Sequence, residues 1–153
     1  MEIKELKQRP SIQQNEKLMI AYTQYNNLLE TLRKEKLPND MILFINSKID
    51  DINAISNSEK ELKKQLRKTQ TSILSKIEKE LKLVTKNHYR NTWLAVGMAA
   101  FGIPLGVAFG ASLGNMAFLG IGLPIGMVIG MAVGTNMDTK AFDEGRQLDL
   151  EIK

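Results

Sequence analysis

Apolar residues return every third or fourth position through most of the first 85 residues, then become nearly continuous for almost fifty. Leu18, Tyr22, Tyr25, Leu29 and Leu32 keep that spacing and predict an amphipathic helix over residues 11–36, with Ser11 placed to cap it. Leu37-Pro38-Asn39-Asp40 predicts a turn, because proline disfavours a helical residue before it and Asn or Asp can cap the next helix. That second helix carries Ile42, Ile45, Ile49, Ile52 and Ile55 and pauses at Ser56-Asn57-Ser58. It resumes through Leu62, Leu66, Ile73, Ile77, Leu81 and Val84 at nearly the same spacing. A helical hairpin continuing into a coiled coil is the expected form of this region. A stripe of that length cannot stay in water. Helix 11–36 can cover its first part, but Leu62–Val84 has no obvious partner within the chain, so a homo-oligomer is expected.

The apolar part is built from a repeat. Residues 101–115 read FGIPLGVAFGASLGN and residues 121–135 read IGLPIGMVIGMAVGT, in strict register 20 positions apart. Gly102, Gly106, Gly110 and Gly114 thus match Gly122, Gly126, Gly130 and Gly134, and Pro104 matches Pro124. Glycine at every fourth position leaves one side of a helix bare, and in lipid such strips let two backbones approach and gain dispersion and Cα–H···O contacts. A flexible linker would be polar, whereas the residues between these glycines are Leu, Ile, Val, Met, Phe and Ala. Each proline removes an amide donor, which predicts two kinks or two late helix starts. A second helix opening at Pro124 would be too short for a full crossing, and a re-entrant segment is then the alternative.

Charge placement supplies the topology. Asn91–Met137 contains no Asp, Glu, Lys or Arg over 47 residues, more than twice the roughly 20 that one crossing needs. Residues 1–90 hold 18 Lys+Arg and 12 Asp+Glu, a net +6, while residues 138–153 carry a net −2. Three regions are expected: a cytoplasmic charged helical region (1–90), a transmembrane glycine-zipper hairpin (91–137) and a cytoplasmic tail (138–153). Lys82, Lys86 and Arg90 precede the first span and the connection near Asn115 is uncharged, so both termini are expected in the cytoplasm. Tyr89 and Trp93, flanked by Lys86 and Arg90, stand where interfacial anchors sit. The basic first region suits anionic lipid headgroups. Nothing at Met1–Arg9 has the form of a secretory signal. The tail Gln147–Lys153 alternates apolar and charged residues as a strand does, though a disordered or self-packed tail is the commoner form.

Several chemistries drop out. There is no cysteine and a single histidine, His88, to which no role is given. No glycine-rich phosphate loop lies between a strand and a helix, and Asp50, Asp51 and Glu59 stand on solvated helical faces, so neither a catalytic site nor a cofactor or metal is expected. Lys60, Lys63, Lys64, Arg67 and Lys68 cluster, but beside Glu59 and Glu61 and without interleaved aromatics, which argues against nucleic acid.

The paired GxPxGxxxGxxxG runs, followed by Asp138, Lys140 and Glu144-Gly145-Arg146-Gln147-Leu148-Asp149, resemble small bacterial glycine-zipper membrane proteins over Gly97–Lys153, about a third of the chain. That resemblance implies tight helix packing in the bacterial inner membrane and no particular substrate; similar strips occur in pore-forming toxins and mechanosensitive channels. The expected function is a non-enzymatic, membrane-anchored oligomeric scaffold or adaptor with a cytoplasmic protein partner. A pore-forming or membrane-permeabilising effector built from the same hairpin is the alternative.

Overall fold

A computed structural model describes residues 2–10, 12, 15–56 and 58–152. Its helices are α1 (Glu16–Lys34), α2 (Asn39–Asn53), α3 (Glu59–Leu81), α4 (His88–Gly97), α5 (Ile103–Ser112) and α6 (Leu119–Asp143). Two short strands, β1 (Val84–Lys86) and β2 (Gln147–Glu151), accompany them. The chain forms two compact units that meet in sequence between Leu83 and Val84.

In the first unit the helix ends follow local chemistry. The expected cap at Ser11 lies outside the described residues; α1 is capped by Asn15, whose side chain accepts from the Leu18 amide at 3.2 Å. Pro38 takes the capping position of α2 without a side-chain bond, and Asn39 and Asp40 are already helical. Ser58 caps α3 by accepting from the Glu61 amide, with Glu59 and Glu61 in the first turn where the helix dipole favours acids. Lys34 and Lys79 stand in the last turns of α1 and α3.

The seam predicted along α2 and α3 is present but closed inside the chain. Leu62, Leu66, Ile73 and Ile77 are at most 3% exposed, and α3 packs on both α1 and α2. Leu28, Leu29, Leu32, Ile45, Ile49 and Ile52 complete a core in which each side chain is worth about 1.5–3 kcal/mol on burial. The stretch expected to lack an intrachain partner therefore has one, which removes the reason for self-association through a coiled coil. An additional layer comes from residues 2–9, which form neither helix nor strand and bury Ile3 and Leu6.

Tyr25 is the largest fully buried side chain of this core, and its hydroxyl has no well-aligned hydrogen-bond partner. Burial pushes its pKa up to about 12, with the nearby Thr69 hydroxyl pulling the other way and the Asp51 charge adding to the rise. Because the folded-state value lies above the ordinary 10, the unfolded chain ionises first. The stability that depends on this proton is intact below pH 10 and is lost as pH rises from 10 towards 12. Tyr25→Phe is expected to stabilise the unit by about 1 kcal/mol at neutral pH, since an unpaired buried hydroxyl costs roughly 1–3 kcal/mol. It should also flatten the decline above pH 10. Urea midpoints of the two full-length proteins at pH 8 and pH 11 check both statements.

The second unit begins where helical periodicity predicts that helix to continue. Lys82 adopts φ 58° and ends α3, so Val84, expected on the helical stripe, starts β1 instead. Asn87, also at φ 58°, turns the chain into α4; asparagine tolerates this left-handed conformation. A π-turn (Met98–Gly102) joins α4 to α5, making one unbroken helix of 25 residues, His88–Ser112. Gly114 reverses the chain at φ 62°, Asn115 caps a 3₁₀ turn (Met116–Phe118), and this leads directly into α6, giving a second helix of 28 residues, Met116–Asp143. Both helices are long and apolar enough to cross a membrane. Pro124 lies inside α6 and Pro104 in the helical turn after the π-turn, so neither opens a late helix, and the short second segment is not formed. After Gly145, at φ 68°, β2 pairs in parallel with β1. Residues 138–143 complete α6, β2 returns to residues 84–86, and Val84, Leu148 and Leu150 are buried.

Candidate functional site

The glycine-bearing sides of the two long helices face each other within one chain. A Cβ at Gly122 would fall on the Gly102 carbonyl, one at Gly97 on the Gly126 carbonyl, and one at Gly130 on the Trp93 carbonyl. At Gly126 it would lie 2.5 Å from the Gly97 oxygen and the Gly102 nitrogen, at Gly106 2.6 Å from the Leu119 oxygen, and at Gly134 2.5 Å from the Arg90 Cα. Because these neighbours are backbone, no rotamer change can make room. Gly102 is slightly looser, at 3.1 Å, and the nearest atom to Gly110 is the flexible Met116 thioether at 3.2 Å, with backbone no closer than 3.4 Å. Gly114 departs from expectation: it is in the turn, nothing lies within 4 Å of its added Cβ, and its role is the positive φ rather than packing.

Gly97 joins this interface although it stands outside the fourfold spacing. It precedes Gly102 by five residues, which on an α-helix would rotate it off the shared side. The π-turn restores the alignment: the Ile103 amide bonds to the Met98 carbonyl five residues back, absorbing the extra residue. Pro104 follows at once, and its missing N–H withdraws the donor that the Ala100 carbonyl would take in an α-helix. Sequence and backbone thus cooperate to extend the strip from Gly110 back through Gly97 to Trp93 and Arg90.

At its open end the hairpin is fastened by Asp138. This carboxylate, 7% exposed, accepts from the Tyr89 amide at 3.0 Å and the Arg90 amide at 2.9 Å. Asn87 offers α4 no side-chain cap, so a residue of α6 supplies it across the interface and places a negative charge at the positive end of the helix. Next to it Gln147 donates to the Asp138 carbonyl at 3.3 Å. Lys86 pairs with Asp149 across the strands, and Asn87 donates to Glu151 at 3.0 Å. Of the expected anchors, Trp93 and Tyr89 are half-buried, Arg90 is exposed, and Lys86 is held in β1. The Tyr89 ring meets His88 edge-on, with centroids 5.0 Å apart.

Outside this strip the helices are apolar and open. Only 22% and 17% of their most apolar windows are buried, and Phe101, Val107, Phe109, Ile121, Ile125 and Val128 point outward. A core helix of a water-soluble domain would bury most of that surface. Among the described residues no three His, Cys, Asp or Glu side chains gather where they could hold a metal ion. No family model, curated protein or solved structure matches the chain.

Proposed function

We propose that the chain is a non-enzymatic, membrane-anchored helical adaptor of the glycine-zipper kind. The α4–α6 hairpin spans the bacterial inner membrane twice, and the three-helix unit stands in the cytoplasm as the part that meets a protein partner. The observation that carries this reading is that the glycine strips of both helices are spent on each other inside one chain. What remains outward is branched aliphatic and aromatic surface, which suits lipid and offers no polar wall for a water-filled path.

The charge boundary supports the same reading. Arg90, the last base before the uncharged stretch, and Asp138, the first acid after it, are bonded to each other through the Arg90 amide, so charge ends at one level on both helices. From there to the turn the first helix runs 22 residues, or roughly 33 Å, close to the 30 Å of a hydrocarbon core. Lys82, Lys86 and Arg90 at the open end and an uncharged turn at the other favour a cytoplasmic side for the open end.

Full-length protein reconstituted in liposomes is expected to resist alkaline extraction and to leave a small trapped dye inside. Dye release by the wild type and not by a Gly106→Leu, Gly126→Leu double variant would replace the adaptor with the pore-forming effector. Extraction of the wild type at alkaline pH would remove the membrane span altogether.

A further inference from the structure

Beside the open end of the hairpin lies a cavity of about 280 Å³ whose walls come from both long helices. Arg90 lines it from α4, and Thr135, Asp138, Thr139 and Phe142, spaced three and four apart on one side of α6, line it opposite. Three features of this wall are left over from the hairpin's own packing. The exposed Arg90 side chain makes no ion pair among the described residues, although its amide is bonded to Asp138. Thr135 and Thr139 stand exposed one turn apart. Phe142 is 68% exposed, the highest value among the large apolar side chains.

Asp138 does not make the cavity negative. It is 7% exposed, and its two oxygens accept from the Tyr89 and Arg90 amides, so its charge is spent on the positive end of α4. The guanidinium is the charge in the wall that stays available. A planar fork of donors beside hydroxyl groups suits a phosphate oxyanion. Towards the turn the cavity leads into an apolar row. Leu94 and Met98 follow Arg90 at intervals of four, Met131 and Met127 precede Thr135 at the same interval, and all four are half-buried. The close approaches of Gly134 to Arg90, Gly130 to Trp93 and Gly126 to Gly97 bring the two rows level with each other. Two turns of helix give roughly 12 Å of apolar wall, and methionine adapts its shape to an irregular neighbour.

We infer that this site holds one anionic phospholipid, its phosphate on Arg90 and the threonine hydroxyls and an acyl chain along Leu94, Met98, Met131 and Met127. The inference rests on the membrane reading above, which sets Arg90 and Asp138 at the edge of the hydrocarbon core, the level of lipid phosphates. Phe142, one turn further out, then stands where interfacial aromatic rings collect. The lipid at this place is a ligand with a seat of its own, distinguished by charge from the solvent lipid around the hairpin.

Trp93, the single tryptophan, adjoins Leu94 and reports on the site. Full-length protein is reconstituted in phosphatidylcholine vesicles holding a minor share of lipid brominated on its acyl chains, either phosphatidylglycerol or phosphatidylcholine, and quenching of Trp93 is compared. Brominated phosphatidylglycerol is expected to bind about fivefold more strongly, the equivalent of the roughly 1 kcal/mol that one base contributes at an anionic surface. Arg90→Gln should abolish that preference. Lys140→Gln removes the same charge from α6 beside Thr139 but outside the cavity wall, and should keep it. No preference in the wild type, or equal loss in the two variants, overturns the site. Loss of the preference in inorganic phosphate, but not in chloride of equal ionic strength, overturns the lipid as occupant and assigns the cavity to the free anion. Vesicles made entirely of brominated phosphatidylcholine tell the two failures apart. Quenching there places Trp93 of each protein within the bilayer, so that a missing preference counts against the site alone; absence of quenching rejects the span and the lipid site together.

Discussion

Alanine at Gly126 or Gly130 is expected to force the hairpin helices apart and to lower its stability by about 3 kcal/mol, the upper part of the range for overpacking. The direction is opposite to intrinsic propensity, since Gly→Ala inside a helix ordinarily favours the helix by up to about 1 kcal/mol. The reversal comes from what the methyl group meets: the Gly97 oxygen and Gly102 nitrogen at position 126, and the Trp93 carbonyl at position 130. Gly120 supplies the internal comparison. It lies in α6, nothing lies within 4 Å of its added Cβ, and Gly120→Ala should be neutral or mildly stabilising. Gly110→Ala should fall between, because the Met116 thioether can swing away. Trp93, the single tryptophan, borders the Gly130 contact, so its fluorescence during thermal unfolding in detergent reports this interface. Equal effects at positions 110, 120, 126 and 130 would mean that helix propensity, not backbone contact, governs the hairpin.

The glycines that meet were legible because the sequence states them twice in one register, and a period of four on an apolar background admits few structures. What the pattern could not express is a slip of one residue. Gly97 sits five positions before Gly102, so a fourfold count passes over it, and the π-turn that brings it back depends on how two backbones fit rather than on any residue preference. Gly114 shows the converse. It matches Gly134 by position, yet the chain must reverse somewhere in the uncharged connection, and the residue that tolerates positive φ does so there.

Charged regions were less legible for a related reason. A helical stripe tells that a face is buried but not by what, and α3 was readable as a coiled-coil strand until α1 and α2 were seen to cover it. Val84 continues that stripe in sequence, but the left-handed Lys82 breaks the helix two residues earlier, and Val84-Thr85 then behave as β-branched residues do beside a strand such as Gln147–Glu151. Ile3 and Leu6 keep a helical spacing of three, yet residues 2–9 form no helix, because their main-chain groups bond to the side chains of Asn46, Asn53 and Arg33 instead of to one another.

Asp138 had a signal in the sequence that residue type alone conceals. In an antiparallel hairpin, partners stand at equal distances from the turn, and Arg90 and Asp138 each lie 24 residues from Gly114. The first acid after the apolar stretch therefore meets the start of the opposing helix, where the Tyr89 and Arg90 amides have no partner of their own. Removing a cap costs about 0.5–2 kcal/mol, and hydrogen bonds to a charged acceptor about 1.5–3 kcal/mol each. Asp138→Ala is accordingly expected to destabilise the hairpin by about 3 kcal/mol. Asp138→Asn should cost roughly half as much, because its one carbonyl oxygen serves one amide and its NH2 group faces the other. Hydrogen exchange locates the effect: the Tyr89 and Arg90 amides should exchange on the order of 100-fold faster in the alanine variant, the counterpart of about 3 kcal/mol. Amides in the middle of α6 should change less. If the alanine variant melts with the wild type and those two amides stay protected, then the β1–β2 pair and the glycine contacts hold the open end by themselves, and Asp138 is only a neighbour of the helix whose amides it faces.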